Sequence, residues 1–411
     1  MHPKRIAKAA LGLSLVSVWT WQHDLVAQAQ KVQIPIFEYD PSFPKPLPEN
    51  WAIGPIGGLA VDRQDHLYVV QRPGGLLTNE RFSGADDNPP KADCCVPAPP
   101  VLEFDQRGTL IHSWGGPGPG YDWPQTEHGV FVDHKDVVWL AGSGAKDAQL
   151  LKFTREGKFL QQFGKPGMSG GSADTKNMGS PANLVVDAAT NEVYVADGYS
   201  NHRVIVLDAD TFAFKRMWGA YGNKPDDTPV VGPVNPHRGR ENAAQPADRG
   251  AAHDPNAPPQ QQFGNPVHCV IISKDDLVYV CDRQGDRLQV FTKDGKFVKE
   301  KLIEPKTMNA GSVWDVALSS DPQQTFLYVA DGENSLIHIL RRDTLDILTA
   351  FGEGGRQPGQ WHGVHNIATD SQGNIYTTET YEGKRIQKFT FKGVKPVTKP
   401  YQGTPWPASA K

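Results

Sequence analysis

The chain has 411 residues, a formal net charge of −4, and 38% hydrophobic and 21% charged residues, which is too apolar and too weakly charged for a disordered chain. Its 41 glycines and 34 prolines are more turn-forming residues than a helical bundle tolerates. The slight acidity, with no basic run after the first ten residues, argues against a nucleic-acid partner.

The N-terminal segment has the three-part layout of a bacterial-type secretory signal. Three basic residues lie within positions 4–8, an apolar run covers 9–21, and Ala27-Gln28-Ala29 has the small-residue pattern of a cleavage site. The run is too short to span a bilayer, although an uncleaved anchor is the alternative. We therefore predict a signal peptide at residues 1–29, a periplasmic or secreted protein without a transmembrane segment, and a compartment in which disulfides form.

From about residue 55 onward, one pattern occurs six times: an apolar-alternating strand, a polar turn, and a second strand that ends in a small or acidic residue. Alternation with a period of two, built from β-branched and aromatic residues, is typical of strands. A third strand follows most copies and a fourth strand follows many. Each copy is therefore predicted to be a four-stranded propeller blade.

Because each blade buries its faces only against its neighbours, the six copies are expected to close into a ring. We predict an all-β fold, a six-bladed β-propeller with long inter-blade loops, as a single domain over residues 30–411. The alternating segment ~32–39 would supply the fourth strand that the last copy lacks. The predicted blades cover residues ~55–115, ~126–164, ~181–219, ~266–303, ~313–352 and ~363–392.

Histidine occupies one aligned position, at the start of the first strand, in the second, fourth and sixth copies only: His128, His268 and His365. Alternate blades of a six-fold ring are roughly 120° apart, so these side chains are expected to point toward one place on the central axis. Three imidazoles with an open fourth position form the ligand set of a catalytic Zn²⁺. The alternative is that they are pore-lining groups that bind water.

The remaining histidines fall in turns, strand edges or loops, and we expect them to be solvated rather than ligating. They are His66, His112, His134, His202, His237, His253, His338 and His362.

The repeats resemble NHL repeats, most clearly at 194–207, which begins Tyr-Val-Ala-Asp-Gly, and at 279–291. The histidine-bearing strands resemble those of peptidyl-α-hydroxyglycine α-amidating lyases, which are zinc-dependent six-bladed NHL propellers. Those enzymes cleave a C-terminal hydroxyglycine to a peptide amide and glyoxylate. The matching segments are 127–133, 267–270 and 364–367.

The resemblance implies three catalytic residues. Tyr199 matches the family's active-site tyrosine, and Arg283 and Arg72 match its two arginines, with Arg72 ten residues after Asp62. By the same resemblance, the arginines would bind the substrate carboxylate, zinc would act as a Lewis acid, and Tyr199 would remove the hydroxyl proton. The alternative for each is a blade-packing or rim residue.

The resemblance also implies a structural Ca²⁺ in the channel, held by the backbone carbonyls of Leu59 and Val130 and by an aspartate. The aspartate position is Asn366 in this chain. An amide oxygen can bind Ca²⁺ but brings no charge, so the affinity is expected to be lower.

Two cysteine pairs and one long segment complete the predictions. Cys269 and Cys281 lie near opposite ends of one predicted hairpin, so a cross-strand disulfide is expected, with two buried thiols as the alternative. Cys94 and Cys95 are adjacent in a proline-rich segment and receive no assigned role. Segment 223–265 precedes His268 and is rich in Pro, Asn, Gln and Ala; a lid over the metal face is the preferred hypothesis.

Three functions are compatible with the sequence. The first is an exported metal-dependent carbon–nitrogen lyase that cleaves a carboxylate-bearing carbinolamide to an amide and glyoxylate. The second is another hydrolase or lactonase that uses the same channel, and the third is a non-catalytic binding propeller. The expected ligand is a small molecule or a peptide C terminus, the expected metal is zinc, and the protein is expected to be a monomer.

Overall fold

The computed structural model describes residues 32–81, 89, 91, 94–228 and 258–405. The signal peptide predicted at residues 1–29 lies outside these ranges. Within them the secondary structure is β apart from two short 3₁₀ turns, Pro73–Gly75 and Ala220–Gly222. The described residues contain no apolar helix of the length that a membrane span requires.

Six four-stranded antiparallel sheets form the described fold, which confirms the predicted six-bladed propeller. The strands, in chain order, are β1 (Gln33–Tyr39), β2 (Trp51–Ala52), β3 (Ile56–Val61), β4 (Leu67–Gln71), β5 (Val96–Pro97), β6 (Val101–Phe104), β7 (Leu110–Trp114), β8 (Glu127–Val132), β9 (Val138–Gly142), β10 (Gln149–Phe153), β11 (Phe159–Gly164), β12 (Asn183–Asp187), β13 (Glu192–Asp197), β14 (Arg203–Asp208), β15 (Phe214–Trp218), β16 (Val267–Ile272), β17 (Leu277–Asp282), β18 (Arg287–Thr292), β19 (Phe297–Leu302), β20 (Asp315–Leu318), β21 (Phe326–Asp331), β22 (Leu336–Arg341), β23 (Ile347–Phe351), β24 (Val364–Thr369), β25 (Ile375–Glu379) and β26 (Ile386–Pro396).

Each blade is a meander of neighbouring strands. Blade 1 contains β3, β4, β6 and β7, and blades 2 to 5 contain β8–β11, β12–β15, β16–β19 and β20–β23. Short strands β2 and β5 form a separate parallel pair. The first strand of each blade lies nearest the axis, where β3 contacts both β8 and β24.

Blade 6 closes the ring with strands from both ends of the described chain. Its order is β24, β25, β26 and then β1, which pairs antiparallel with β26 so that Tyr39 lies opposite Phe389. Hydrogen bonds between these strands therefore join the two ends of the ring.

The hydrophobic core lies between adjacent blades. Tyr328 of blade 5, for example, packs in one buried cluster with Phe389 of blade 6. The Asp and Arg of the repeat motif form a buried pair in blades 3 and 4. In blade 4 the Nε of Arg287 lies 2.8 Å from Asp282 Oδ2, and its Nη2 donates to the carbonyl of Gln262 at 2.8 Å. A buried charge is stable only when it is paired and hydrogen-bonded, which accounts for the spacing of the motif.

Both cysteine pairs are bonded. Cys269 on β16 lies directly opposite Cys281 on β17, with Cα atoms 4.8 Å apart, and the two form a cross-strand disulfide. Cys94 and Cys95 are bonded to each other in the connection that leads to β5.

Candidate metal centre

His128, His268 and His365 are each the second residue of a first strand, on β8, β16 and β24. In all three strands the pairing register shifts across the histidine, for example between Val267 and Cys269 on β16. Such an irregularity turns a side chain out of the regular alternation. The histidines consequently leave the sheet and face the channel axis.

The three imidazole rings form a nearly equilateral triangle. The ring centroids of His128, His268 and His365 are 4.8 to 5.1 Å apart, and one ligand atom from each lies within 4.8 Å of the others. All three side chains are buried. The group could hold a metal ion.

Hydrogen bonds fix which ring nitrogen of each histidine is available. The Nδ1 atoms of His128 and His268 face the carbonyl oxygens of Ala182, at 2.7 Å, and of Trp314. The Nδ1 of His365 lies 2.8 Å from the side-chain oxygen of Asn366. Because these oxygens only accept hydrogen bonds, each Nδ1 carries the proton and each Nε2 presents its lone pair to the centre of the triad, as in metal-binding histidines.

Electrostatics keep the three imidazoles neutral. Burial is the main cause of the lowered pKa of His128 and of His268, and it lowers the pKa of His365 to about 3. The guanidinium group of Arg72 lowers the pKa of all three further, and that of Arg283 lowers the pKa of His268 and His365. Neutral imidazole is the form that binds a metal, so the donor set suits Zn²⁺.

Tyr199 and Arg283 lie beside the triad. The Tyr199 hydroxyl is 3.0 Å from His128 Nε2 and 3.1 Å from His268 Nε2, and Arg283 Nη1 donates to it at 3.1 Å. The Arg283 guanidinium lies 4.8 Å from the Trp314 ring centroid, and its Nε has no hydrogen-bond partner among the described residues. This arrangement leaves a buried cation with one unused donor, its Nε, next to the imidazoles.

Arg72 approaches from blade 1, directly after β4. Its Nε donates to the carbonyl of Glu127 at 2.8 Å, and its Nη1 lies 3.4 Å from the hydroxyl of Thr380. The structure thus brings Arg72, Tyr199 and Arg283 to the centre at which the resemblance placed them. Two guanidinium groups beside a bound dication would favour an anionic ligand.

Sequence reasoning missed two contributors to this centre. Trp314 occupies in blade 5 the aligned position that holds histidine in alternate blades, and its ring centroid lies 5.6 Å from that of His365. Asn265 donates to the Tyr199 carbonyl at 2.6 Å. The sequence signal for Trp314 was its place in the aligned column of histidines. It was passed over because an aromatic residue in a strand repeat usually belongs to the hydrophobic core.

Asn366 contacts its neighbours in a way that the calcium prediction did not foresee. Its side-chain oxygen faces His365 Nδ1 and accepts from the Thr378 hydroxyl at 3.2 Å, while its Nδ2 donates to Asp315 at 3.2 Å. Leu59 and Val130 line the channel together with Asp315 in a cavity of about 840 Å³. The calcium site stays a prediction.

Two histidines expected to be solvated are buried. His338 on β22 is 2% exposed and its Nε2 lies 3.1 Å from Asp331, and His202 faces the carbonyl of Phe263 at 3.0 Å. The expectation failed because a paired imidazole is as acceptable in a strand as an apolar side chain. His237 and His253 lie outside the described residues, as does most of segment 223–265, so the lid also stays a prediction.

Comparisons with known proteins find relatives of low sequence identity. No family model matches the chain. NHL repeat-containing protein 3 of Mus musculus is 26% identical over 329 residues, 78% of this chain and 72% of that protein. A probable peptidyl-alpha-hydroxyglycine alpha-amidating lyase of Caenorhabditis elegans is 23% identical over 257 residues, 62% of this chain and 61% of that protein. A streptogramin B lyase structure has a TM-score of 0.45 at 13% identity and covers 89% of this chain and 99% of its own.

The chain is therefore a six-bladed β-propeller that resembles NHL-repeat proteins and has a three-histidine group that could bind a metal. Among such propellers it resembles peptidyl-α-hydroxyglycine α-amidating lyase, which confirms the resemblance drawn from its motifs.

Proposed function

We propose that this protein is an exported metal-dependent lyase that cleaves the carbon–nitrogen bond of a carboxylate-bearing carbinolamide, a peptidyl-α-hydroxyglycine or a close analogue. The observation that carries the proposal is the Tyr199 hydroxyl, which is within 3.1 Å of two triad imidazoles and of Arg283. The proposed base Tyr199, the cation Arg283 and the metal-binding imidazoles are therefore in direct contact with one another.

His128, His268 and His365 would hold the metal, which supplies Lewis-acid polarisation of a substrate oxygen when bound. The Arg283 Nη1 donates to the Tyr199 oxygen and would stabilise its phenolate. That phenolate would take the proton of the substrate hydroxyl. The oxygen electron pair would then form the carbonyl of glyoxylate as the C–N bond breaks, and the proton would return to the amide nitrogen.

Recognition of the substrate would depend on its carboxylate. Arg283 and Arg72 present planar guanidinium forks, which bind carboxylates in a bidentate manner that lysine does not reproduce. Trp314 stacks under Arg283 and would hold the fork in place.

Export is part of the proposal. The N-terminal pattern supports it, and so do the bonded pairs Cys269–Cys281 and Cys94–Cys95, because such bonds persist in oxidising compartments.

The test is glyoxylate release from α-hydroxyhippurate by the zinc-loaded protein. Tyr199→Phe should slow turnover by roughly 100-fold or more, the usual contribution of a general base, while the zinc content measured by mass spectrometry stays unchanged. Tyr39→Phe, on the outermost strand of blade 6, is the matched control and should keep full activity.

An active Tyr199→Phe variant would contradict the assignment of the base. A zinc-loaded wild type that releases no glyoxylate would contradict the lyase, and would favour the hydrolase or binding-propeller alternatives.

A further inference from the structure

A second group of metal-ligating side chains lies in blade 1, at the end of β3 away from the histidine triad. Ligand atoms of Asp62, His66 and Glu103 lie within 4.8 Å of one another. Glu103 and Asp62 are buried, and the His66 side chain is 26% exposed. His112 adjoins the group, with its Nδ1 2.7 Å from Glu103 Oε2.

Glu103 stands at a position that is apolar in blades 3, 4 and 5 and is a lysine, Lys152 or Lys388, in blades 2 and 6. On β6 it lies directly opposite Tyr68 of β4, and the residues opposite the equivalent tyrosines of blades 3, 4 and 5 are Val206, Val290 and Ile339. Burying a carboxylate at such a position costs free energy unless a cation balances it. Blade 1 therefore carries a buried acid at a position where the other blades have an apolar residue or a lysine.

Asp62 also directs an oxygen into the group. Its Oδ1 accepts from the backbone N–H groups of Gln64 and His66, both at 2.8 Å, and so closes the β3–β4 turn. Its Oδ2 is buried and meets no hydrogen-bond donor in regular geometry among the residues that the structure describes, and its ion-pair partner is Arg155 Nη2 at 3.2 Å. That oxygen lies 3.8 Å from His66 Nδ1.

Arg155, from the β10–β11 turn of blade 2, occupies the centre of the group. Its Nη2 is 2.8 Å from His66 Nδ1 and 3.2 Å from Asp62 Oδ2, and it also contacts Glu103 Oε1. The His66 Nδ1 is itself 2.9 Å from Glu103 Oε1, and one ring nitrogen cannot accept from Arg155 and donate to Glu103 together. With Nδ1 unprotonated, three lone pairs converge on a single cationic atom.

We propose that this group is a second metal site, for a divalent transition ion such as Zn²⁺, with Asp62, His66 and Glu103 as ligands and His112 beside them. Imidazole and carboxylate donors suit such ions, and a dication balances two buried carboxylates, whereas one guanidinium does not. Arg155 lies on a turn with its side chain 19% exposed. Without the metal, its guanidinium would occupy the metal position and pair with the two carboxylates. The metal would tie the β3–β4 turn to β6, independently of the lyase reaction.

The test uses the full-length His128→Ala variant, in which the central triad is broken, and measures Zn²⁺ binding by calorimetry and Co²⁺ binding by its visible spectrum. One equivalent should bind. Adding Glu103→Gln or His66→Ala should remove it, whereas adding Arg155→Ala should tighten it at least tenfold because the competing cation is gone. His134→Ala, an exposed histidine in a turn, is the control and should change nothing.

An equivalent that survives both Glu103→Gln and His66→Ala would overturn the proposal, as would the absence of any equivalent. Weaker binding in the Arg155→Ala background would also overturn it, because Arg155 would then be a permanent partner of the carboxylates. Since Glu103→Gln alters a buried pair, His66→Ala at a partly exposed position keeps the test valid if that variant fails to fold.

Discussion

Arg283 has the features of an anion-binding residue more than those of a packing residue. Its side chain is 3% exposed, it stacks on Trp314, and it donates to the Tyr199 hydroxyl without a carboxylate partner among the described ion pairs. A buried cation without a counter-ion is expensive. In the proposed function, the carboxylate of the substrate would offset that cost.

Replacing Arg283 with lysine should therefore reduce kcat/KM for glyoxylate release by roughly 10- to 100-fold, the equivalent of one charge-assisted hydrogen bond of about 1.5–3 kcal/mol. Steady-state kinetics on α-hydroxyhippurate would measure the loss. Arg63→Lys, at an exposed turn, should leave kcat/KM unchanged. If Arg283→Lys is as active as the wild type, Arg283 does not bind the substrate carboxylate in a bidentate manner.

At the scale of the strand, the approach of β3 to β8 sets the position of His128. A Cβ on Gly57 would lie 2.3 Å from the carbonyl oxygen of Glu127 and 2.8 Å from the Cα of His128. Only glycine allows the two inner strands to come this close. Gly57 therefore acts on the histidine triad through the backbone, without adding a side chain to it.

Gly57→Ala should push β8 away from the axis, destabilise the fold by about 1–3 kcal/mol through overpacking, and weaken zinc binding. Chemical denaturation and zinc calorimetry would measure the two effects. Gly74→Ala is the matched control, since nothing lies within 4 Å of a Cβ at that position. If both variants bind zinc equally well, the strand approach does not set the site.

At the scale of the whole molecule, β1 is the closure of the ring. Phe37 of β1 is 7% exposed and lies 5.6 Å, centroid to centroid, from both Tyr328 and Phe351 of blade 5. The same strand pairs with β26 in blade 6. One strand thus connects two blades by packing and by hydrogen bonds.

Phe37→Ala should lower the free energy of unfolding by about 3–5 kcal/mol, the usual cost of truncating a buried phenylalanine. Denaturant unfolding would measure this loss, and it would also show whether the ring still unfolds in a single cooperative transition. Phe214→Ala, 41% exposed on β15, should cost far less. A Phe37→Ala variant as stable as Phe214→Ala would show that closure does not depend on β1.

The sequence by itself determined the six-bladed propeller and the converging histidines, because both follow from local periodicity. Alternation of period two gives the strands, six copies give the ring, and one aligned column gives His128, His268 and His365. The resemblance added Tyr199, Arg72 and Arg283, which the fold then brings to the same centre.

Only the tertiary structure decided which residues meet across blades. Asn265 reaches Tyr199, Trp314 stacks on Arg283, and Arg155 of blade 2 enters the Asp62–His66–Glu103 group of blade 1. The alternation within a strand encodes which face a side chain takes, but not which neighbour it meets. Those contacts depend on how adjacent blades are twisted and spaced, and that geometry exists only once the ring has closed.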